Sequence, residues 1–353
     1  MKIAIINDTH FGTRGDSKIF LDYQEKFYSN VFFPELERRG IQTLLHLGDL
    51  FDRRKYVNFV TLKRTKEMFL NPLKDRNITV HGVVGNHDTS FKNTNEVNTI
   101  DLLLKEYENY NVYVNEPVTL NFGNCNIMLS PWICSSNSEV SFKAFKETKA
   151  KVLMGHFEFA GFEMMKGQLS DHGLDRSEFK KFSSVYSGHY HHPSSHENIT
   201  YLGAPYEMTW TDYRGKRGFH IFDTETCEIE FVQNQFSIFH KLDYDDEDLS
   251  VEDIAEIDVS PLTQAYVKVI VKKKNNPYVF DLFIDKLQSA GCADIKVVED
   301  HLNFDIISEG ELVDEAQDTL SLLKTYVEGL EVKADKARIN EFLRDLYQEA
   351  LSL

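Results

Sequence analysis

Carboxylate, amide and imidazole side chains gather in five short clusters along the first 191 residues. They are Asp8 and His10 in Asn-Asp-Thr-His, Asp49 after Gly48, then Asn86, His87 and Asp88 after Gly85, His156 after Gly155, and His189 and His191 in Gly-His-Tyr-His. Together they form a mixed oxygen and nitrogen donor set, large enough for two divalent transition metals. One such cluster behind a strand is an ordinary turn. Five of them, each just past a short apolar run and four behind a glycine, read as a ligand set. Glycine at those points lets the chain turn sharply and the backbone come close to a ligand.

The apolar runs supply the positioning. Lys2 to Ile6, Thr43 to Leu47, Thr79 to Val84, Val152 to Met154 and Ser184 to Ser187 read as strands. Between them, helical periodicity covers Ser17 to Arg39, with Ile19, Phe20, Tyr23, Phe27 and Val31 on one face, then Phe59 to Arg76 and Thr99 to Tyr107. A strand-rich stretch from Val112 to Pro131, a strand at Ile199 to Leu202 and a hairpin of Phe219 to Phe222 with Glu228 to Val232 complete a layered α/β unit. In open α/β sheets ligands bind at the carboxyl ends of strands, so the five clusters are expected to converge.

Composition limits the function classes. The chain has 353 residues, 42% hydrophobic and 27% charged, enough for two or three packed units. No apolar run approaches the roughly 20 residues of a membrane span, and the N-terminus lacks a secretory pattern, so a cytoplasmic protein without membrane contact is expected. Four dispersed cysteines with no CxxC argue against a zinc ribbon or disulfide framework and fit a reducing compartment. A net charge of −17 argues against tight autonomous binding to nucleic acid; for a polyanionic substrate, metals or a partner must supply positive charge. His46 and His81, inside strands, are expected to pack or hydrogen-bond.

The nine acidic residues between Asp243 and Asp258 read as a solvated linker or domain edge. A small α+β unit follows, with strand Ala265 to Val271, helix Val279 to Ala290 and strand Ile295 to Val298; Lys268, Lys272, Lys273 and Lys274 make a basic cluster there. The chain closes on an amphipathic helical segment, Lys336 to Leu353. Tyr190 and Trp210 are candidate substrate contacts.

The ordered series DxH, GD, GNHD, GH and GHxH resembles the calcineurin-like metallophosphoesterases over about residues 1 to 235. The opening Met-Lys-Ile, Gly48-Asp49-Leu50-Phe51-Asp52, Val84 to Asp88 and Tyr201-Leu202-Gly203-Ala204-Pro205 are similar to the SbcD-type nuclease subunits of double-strand-break repair nuclease–ATPase complexes, the T-even phage ones above all. The resemblance implies an αββα sandwich, then a small α+β cap domain and C-terminal helices. The corresponding divisions are 1-240 for the nuclease, 241-302 for the acidic linker and DNA cap, and 303-353 for ATPase binding. It implies two divalent metal ions, manganese foremost. Asp8, His10 and His191 would hold the first and Asn86, His156 and His189 the second, with Asp49 between them as a shared anionic ligand. His87 would stabilise the transition state or protonate the leaving oxygen, and Asp88 would orient His87. DNA, a coiled-coil SMC-like ATPase gripped by the C-terminal helices, and a homodimer within a heterotetramer are the implied partners. Many cellular SbcD-type subunits have His where this chain reads Asp52-Arg53-Arg54. The departure leaves Asp52 to orient a ligand, or Arg53 to contact phosphate or form a surface ion pair. A protein phosphatase, an RNA or cyclic-nucleotide phosphodiesterase, and a catalytically silent scaffold on this fold are the competing readings; Gly-Asn-His-Asp in place of the GNHE of animal Ser/Thr phosphatases disfavours the first.

Overall fold

The computed structural model describes residues 1–165, 168–170 and 172–299, together with Val327 and Lys336. The chain divides into two compact units, Met1–Asp300 and His301–Leu353. The expected C-terminal helices, including the amphipathic segment from Lys336 to Leu353, lie outside the described residues apart from Val327 and Lys336, each of which is helical. Among the described residues no helix is long and apolar enough to cross a membrane.

Strands β1 (Lys2–Ile6), β2 (Thr43–His46), β3 (Thr79–Val83) and β4 (Tyr110–Tyr113) run parallel as neighbours in one sheet. A second sheet is centred on β6 (Cys125–Ser130), β7 (Val152–His156), β10 (Ser184–Gly188) and β12 (Ile199–Tyr201), also mutually parallel, with β5 (Val118–Phe122) and β11 (Ser194–His196) antiparallel at its edges. Between β7 and β10, the short strands β8 (Glu163–Met165) and β9 (Gln168–Leu169) pair antiparallel as a ribbon of their own. The hairpin of β13 (Gly218–Asp223) and β14 (Ile229–Gln233) returns to the first sheet and pairs antiparallel with β1.

Alternation along β1 explains the stacking. Ile3 and Ile5 face Leu45, Leu47, Ile127, Leu129 and Met154 between the two sheets, while Ala4 and Ile6 face the helices outside. Both faces being covered, the strand reads as a continuous apolar run. Phe20, Phe27, Phe32 and Phe69 fill the outer layer over the first sheet, and Phe145, Phe157, Phe179 and Phe182 that over the second. The result is the expected αββα sandwich.

Three details differ from the expectation. Each of the two long helices is interrupted by a π-turn, Tyr28–Phe32 and Lys66–Leu70, and each π-turn leads into a segment with proline at its second position, Pro34 or Pro72. Proline has no N–H and crowds the carbonyl four residues back, so the preceding N–H reaches five back instead: Phe33 to Tyr28 and Asn71 to Lys66. The third helix spans only Thr99–Leu103. The acidic run is not structureless either. β15 (Phe239–Asp245) pairs parallel with β16 (Tyr266–Lys273), which pairs with β17 (Asp294–Glu299), and a capped helix spans Val251–Glu256. Its acidic residues are mostly exposed, except buried Asp246, which accepts the N–H groups of Asn275 and Asn276 at 2.7 Å. The basic cluster is partly engaged: Lys268 lies 4.0 Å from the Trp210 ring, Lys274 4.0 Å from Phe280, and Lys273 pairs with Glu247. Cys125 and Cys227, remote in sequence, meet across the sandwich with Sγ atoms 3.7 Å apart as free thiols.

Candidate metal centre

The loops after β1 and β2 run side by side, stitched by Asp8 N–H to Gly48 O, His10 N–H to Asp49 O and Phe11 N–H to Leu50 O at 2.9–3.1 Å. That stitching holds three non-glycine residues in the left-handed region, Asp8 (φ 50°), His10 (39°) and Asp49 (56°), and His189 (92°) joins them from the loop after β10. Such conformations are costly and persist where the surroundings over-determine them, commonly at functional sites. Two glycines make the approach feasible. A Cβ on Gly85 would fall 2.2 Å from Asp49 Oδ1, and one on Gly48, itself at φ 91°, 2.7 Å from His156 Nδ1.

Two groups of ligand atoms result, each within 4.8 Å: Asp8, His10 and His191 in one, Asp49, His156 and His189 in the other. Asp49 Oδ2 lies 3.6 Å from His10 Nε2 and 3.2 Å from His156 Nε2, so its carboxylate stands between the groups. Asn86 Oδ1 joins the second, 2.8 Å from His156 Nε2 and 3.0 Å from His189 Nδ1.

The donor chemistry fits cations. His156 Nδ1 sits 2.8 Å from the Leu47 carbonyl, which requires an N–H there and makes Nε2, facing Asp49 and Asn86 oxygens, the atom that would take a cation. In the first group the Nε2 atoms of His10 and His191 face each other at 3.1 Å. Burial opposes charge on His10 and His156, yet Asp52, Asp49 and Asp8 raise His10 to about 10, and Asp49 and Asp8 raise His156 to about 9. Burial, reinforced by cationic His156, depresses His189 to about 3. Burial raises Asp8, whereas Asp49 ends well below the carboxylate range because His156 and His87 outweigh its burial. The carboxylates thus demand positive charge inside, and protons on two histidines meet that demand where metals would. Metal binding is expected to displace those protons, so apparent affinity should climb with pH, with calorimetry in buffers of different ionisation enthalpy counting the protons released. No proton release on binding would contradict this.

Around the ligands the bonding departs from expectation. Asp88 does not orient His87. Wholly buried, it accepts the N–H groups of Gly85 (2.9 Å), Asp49 (2.8 Å), Leu50 (2.9 Å) and Phe51 (3.3 Å) and clamps the Asp49 loop. His87 is oriented by Asp52, whose carbonyl lies 2.6 Å from His87 Nδ1, while Asp52 Oδ1 stands 3.5 Å from His10 Nδ1. Tyr190 is no surface contact: 5% exposed, it stacks between His189 and Tyr201, at 4.9 and 4.6 Å. Arg53 is engaged by Asp16 at 3.6 Å and by the Tyr56 hydroxyl and ring. His46 bonds Thr9 and His81 bonds Tyr113, as expected of packed histidines. Removing the clamp should matter more for folding than for rate. Asp88→Ala leaves buried donors unanswered and is expected to cost ~3 kcal/mol or more, with weakened metal binding; equilibrium denaturation checks it, and parental stability would contradict it.

Sequence reasoning missed Asn7, which bonds Asp8 Oδ2 at 2.6 Å and Gly203 O at 2.9 Å, and Trp132, whose ring lies 5.3 Å from His189 and 5.9 Å from His156. Trp132 was findable: it follows β6 just as the ligands follow their strands.

The comparisons agree with this geometry. Residues 1–193 match the family model described as calcineurin-like phosphoesterase. Exonuclease subunit 1 of Enterobacteria phage T4 is 31% identical over 353 residues, covering 99% of both chains. The SbcD subunit of the SbcCD nuclease of Staphylococcus epidermidis is 22% identical over 321 residues, covering 80% of this chain and 79% of that one. A solved archaeal phosphodiesterase is similar only at TM-score 0.34 and 16% identity, over 66% of this chain and 100% of the other, too slight a likeness to weigh. With the family's motif region matched and a phage exonuclease subunit related end to end, this chain belongs to the calcineurin-like phosphoesterase family.

Proposed function

We propose that the chain is a manganese-dependent DNA exo- and endonuclease, the catalytic subunit of a recombination and repair complex with a coiled-coil ATPase, working as a homodimer in the cytoplasm. The observation that carries this is the pair of ligand groups sharing Asp49, with Asn86 completing one and His87 beside the other. Divalent cations held by these residues would supply Lewis acidity and acidify a water for attack on phosphorus. The protein's part is positioning. Asp8 and Asp49 fix the charge, the Leu47 carbonyl sets the His156 tautomer, and the Asp52 carbonyl turns His87 so that Nε2 can give or take a proton. The relatives' names, an exonuclease subunit and a nuclease subunit, favour nucleic acid over phosphoprotein as substrate.

The test is turnover of bis-p-nitrophenyl phosphate with manganese and its loss on chelation, followed by duplex DNA, single-stranded DNA, RNA and a phosphopeptide in parallel, with and without the ATPase. Preference for the phosphopeptide would make it a phosphatase, and no turnover of any substrate a scaffold. We assign 1–240 to the nuclease, 241–302 to a cap that orients DNA, and 303–353 to ATPase binding. The spacing of Ile339, Phe342, Leu343, Leu346, Tyr347 and Ala350 suits one face of a docking helix. Truncation after Asp335 should leave a folded, metal-binding nuclease that no longer co-purifies with the ATPase; unfolding, or undiminished association, would count against it.

A further inference from the structure

Arg53 and Arg54 are adjacent in sequence but differ in what they meet. Arg53 turns to Asp16 and Tyr56, away from the ligands. Arg54 is half-buried, forms no ion pair among the described residues, and brings Nη2 to 3.2 Å from the Asn86 side-chain amide. That contact has two faces. With Asn86 Oδ1 toward His156 Nε2 and His189 Nδ1, its Nδ2 confronts the guanidinium, donor against donor. With the amide turned over, the oxygen accepts from Arg54, and the nitrogen turns to Asp49 Oδ2 at 3.3 Å and to the two histidine nitrogens, which accept from it only when they carry no proton. A cation held by the second group would take the oxygen, the first orientation, and Arg54 and Asn86 Nδ2 would then stand side by side as donors that a substrate oxygen could meet.

Charge points the same way. Four carboxylates surround the centre, Asp8, Asp49, Asp52 and Asp88, and two divalent cations would balance them. The Arg54 guanidinium is then surplus positive charge beside a cationic site, an arrangement that a bound anion would stabilise. A phosphodiester carries that anion, and the planar guanidinium fork matches its oxygens.

We propose that Arg54 is a catalytic residue that contacts a non-bridging oxygen of the scissile phosphate. This rests on the two-metal reading above and names the residue on the protein's side that receives the substrate. Two consequences have opposite signs. Loss of Arg54 weakens phosphate binding, yet it removes a positive charge beside the cation site, so metal affinity holds or rises.

The experiment is calorimetric titration of thymidine 5′-monophosphate into the manganese-loaded full chain, and of manganese into the nucleotide-free chain, for the parent, Arg54→Ala and Arg54→Lys, with thermal melting of each. Arg54→Ala should bind the nucleotide roughly 10- to 100-fold more weakly, the scale of a lost hydrogen bond to a charged group. It should bind manganese at least as tightly as the parent, and Arg54→Lys should recover part of the nucleotide affinity. Nucleotide affinity unchanged in Arg54→Ala overturns the proposal and leaves the metal centre standing. So does manganese affinity falling together with the melting temperature, which would make Arg54 a prop of its loop. A parent chain that binds no manganese overturns both readings.

Discussion

Asp49→Ala is expected to empty both ligand groups of metal and to lower phosphodiester turnover by about 10³-fold or more, the scale of deleting a central electrostatic group. Its carboxylate stands between the two groups, 3.6 Å from His10 Nε2 and 3.2 Å from His156 Nε2. It also accepts the His87 N–H at 2.8 Å, so alanine loosens the loop that carries Asn86 and His87. Removing the shared anion would leave two like charges facing each other, with Asp8 and Asp52 at the sides offsetting them only in part. Asp49→Asn separates the causes: it keeps the shape and one oxygen for the His87 N–H but lacks the charge. If charge is what the metals need, Asp49→Asn should bind manganese far more weakly than the parent while melting near it. Metal stoichiometry by elemental analysis after gel filtration reads the first effect and bis-p-nitrophenyl phosphate hydrolysis the second. An Asp49→Ala protein with full manganese and full turnover would end the two-metal proposal.

Where each ligand lies was legible because strand ends are legible. A run such as Thr43–His46 is buried on both faces, gives way to Gly48 two residues on, and delivers the next polar residue, Asp49, to one edge of the sheet. What adjacency cannot encode is direction. Asp88 follows His87 in the chain but points back under the Asp49 loop, and Tyr190 sits between two histidines but faces the core against Tyr201. Their roles came out wrong at the sequence level for that reason, whereas Asp52, set against His10 by a loop rather than a strand, came out as one of two open options. The acidic run misled by its charge. Leu242 and Tyr244 are the inward residues of a real strand, and the aspartates flanking Tyr244 are its outward ones. Counting charge over sixteen positions hides an alternation only a few residues long.

His87→Ala is expected to keep manganese and lose turnover by about 10²-fold or more, the range for an acid–base or electrostatic group. The imidazole reaches no position in either ligand group, but its ring stands edge-on to His10 at 4.8 Å, beside the first of them. With Nδ1 committed to the Asp52 carbonyl, Nε2 is the atom left to meet substrate. Its role can be divided by the leaving group. The sugar oxygen released from DNA is a strong base and needs a proton as the bond to phosphorus breaks; nitrophenolate is a far weaker base and leaves without one. A general acid at position 87 is therefore worth more on DNA than on bis-p-nitrophenyl phosphate, and His87→Ala should lose the larger factor on DNA. If both substrates lose the same factor, His87 acts by stabilising charge on the phosphoryl oxygens, and a glutamine, which still donates a hydrogen bond, should restore part of the rate. Loss of manganese in His87→Ala would place the residue among the ligands instead, and the division of labour between Asp49, Asn86 and His87 argued from these contacts would have to be redrawn.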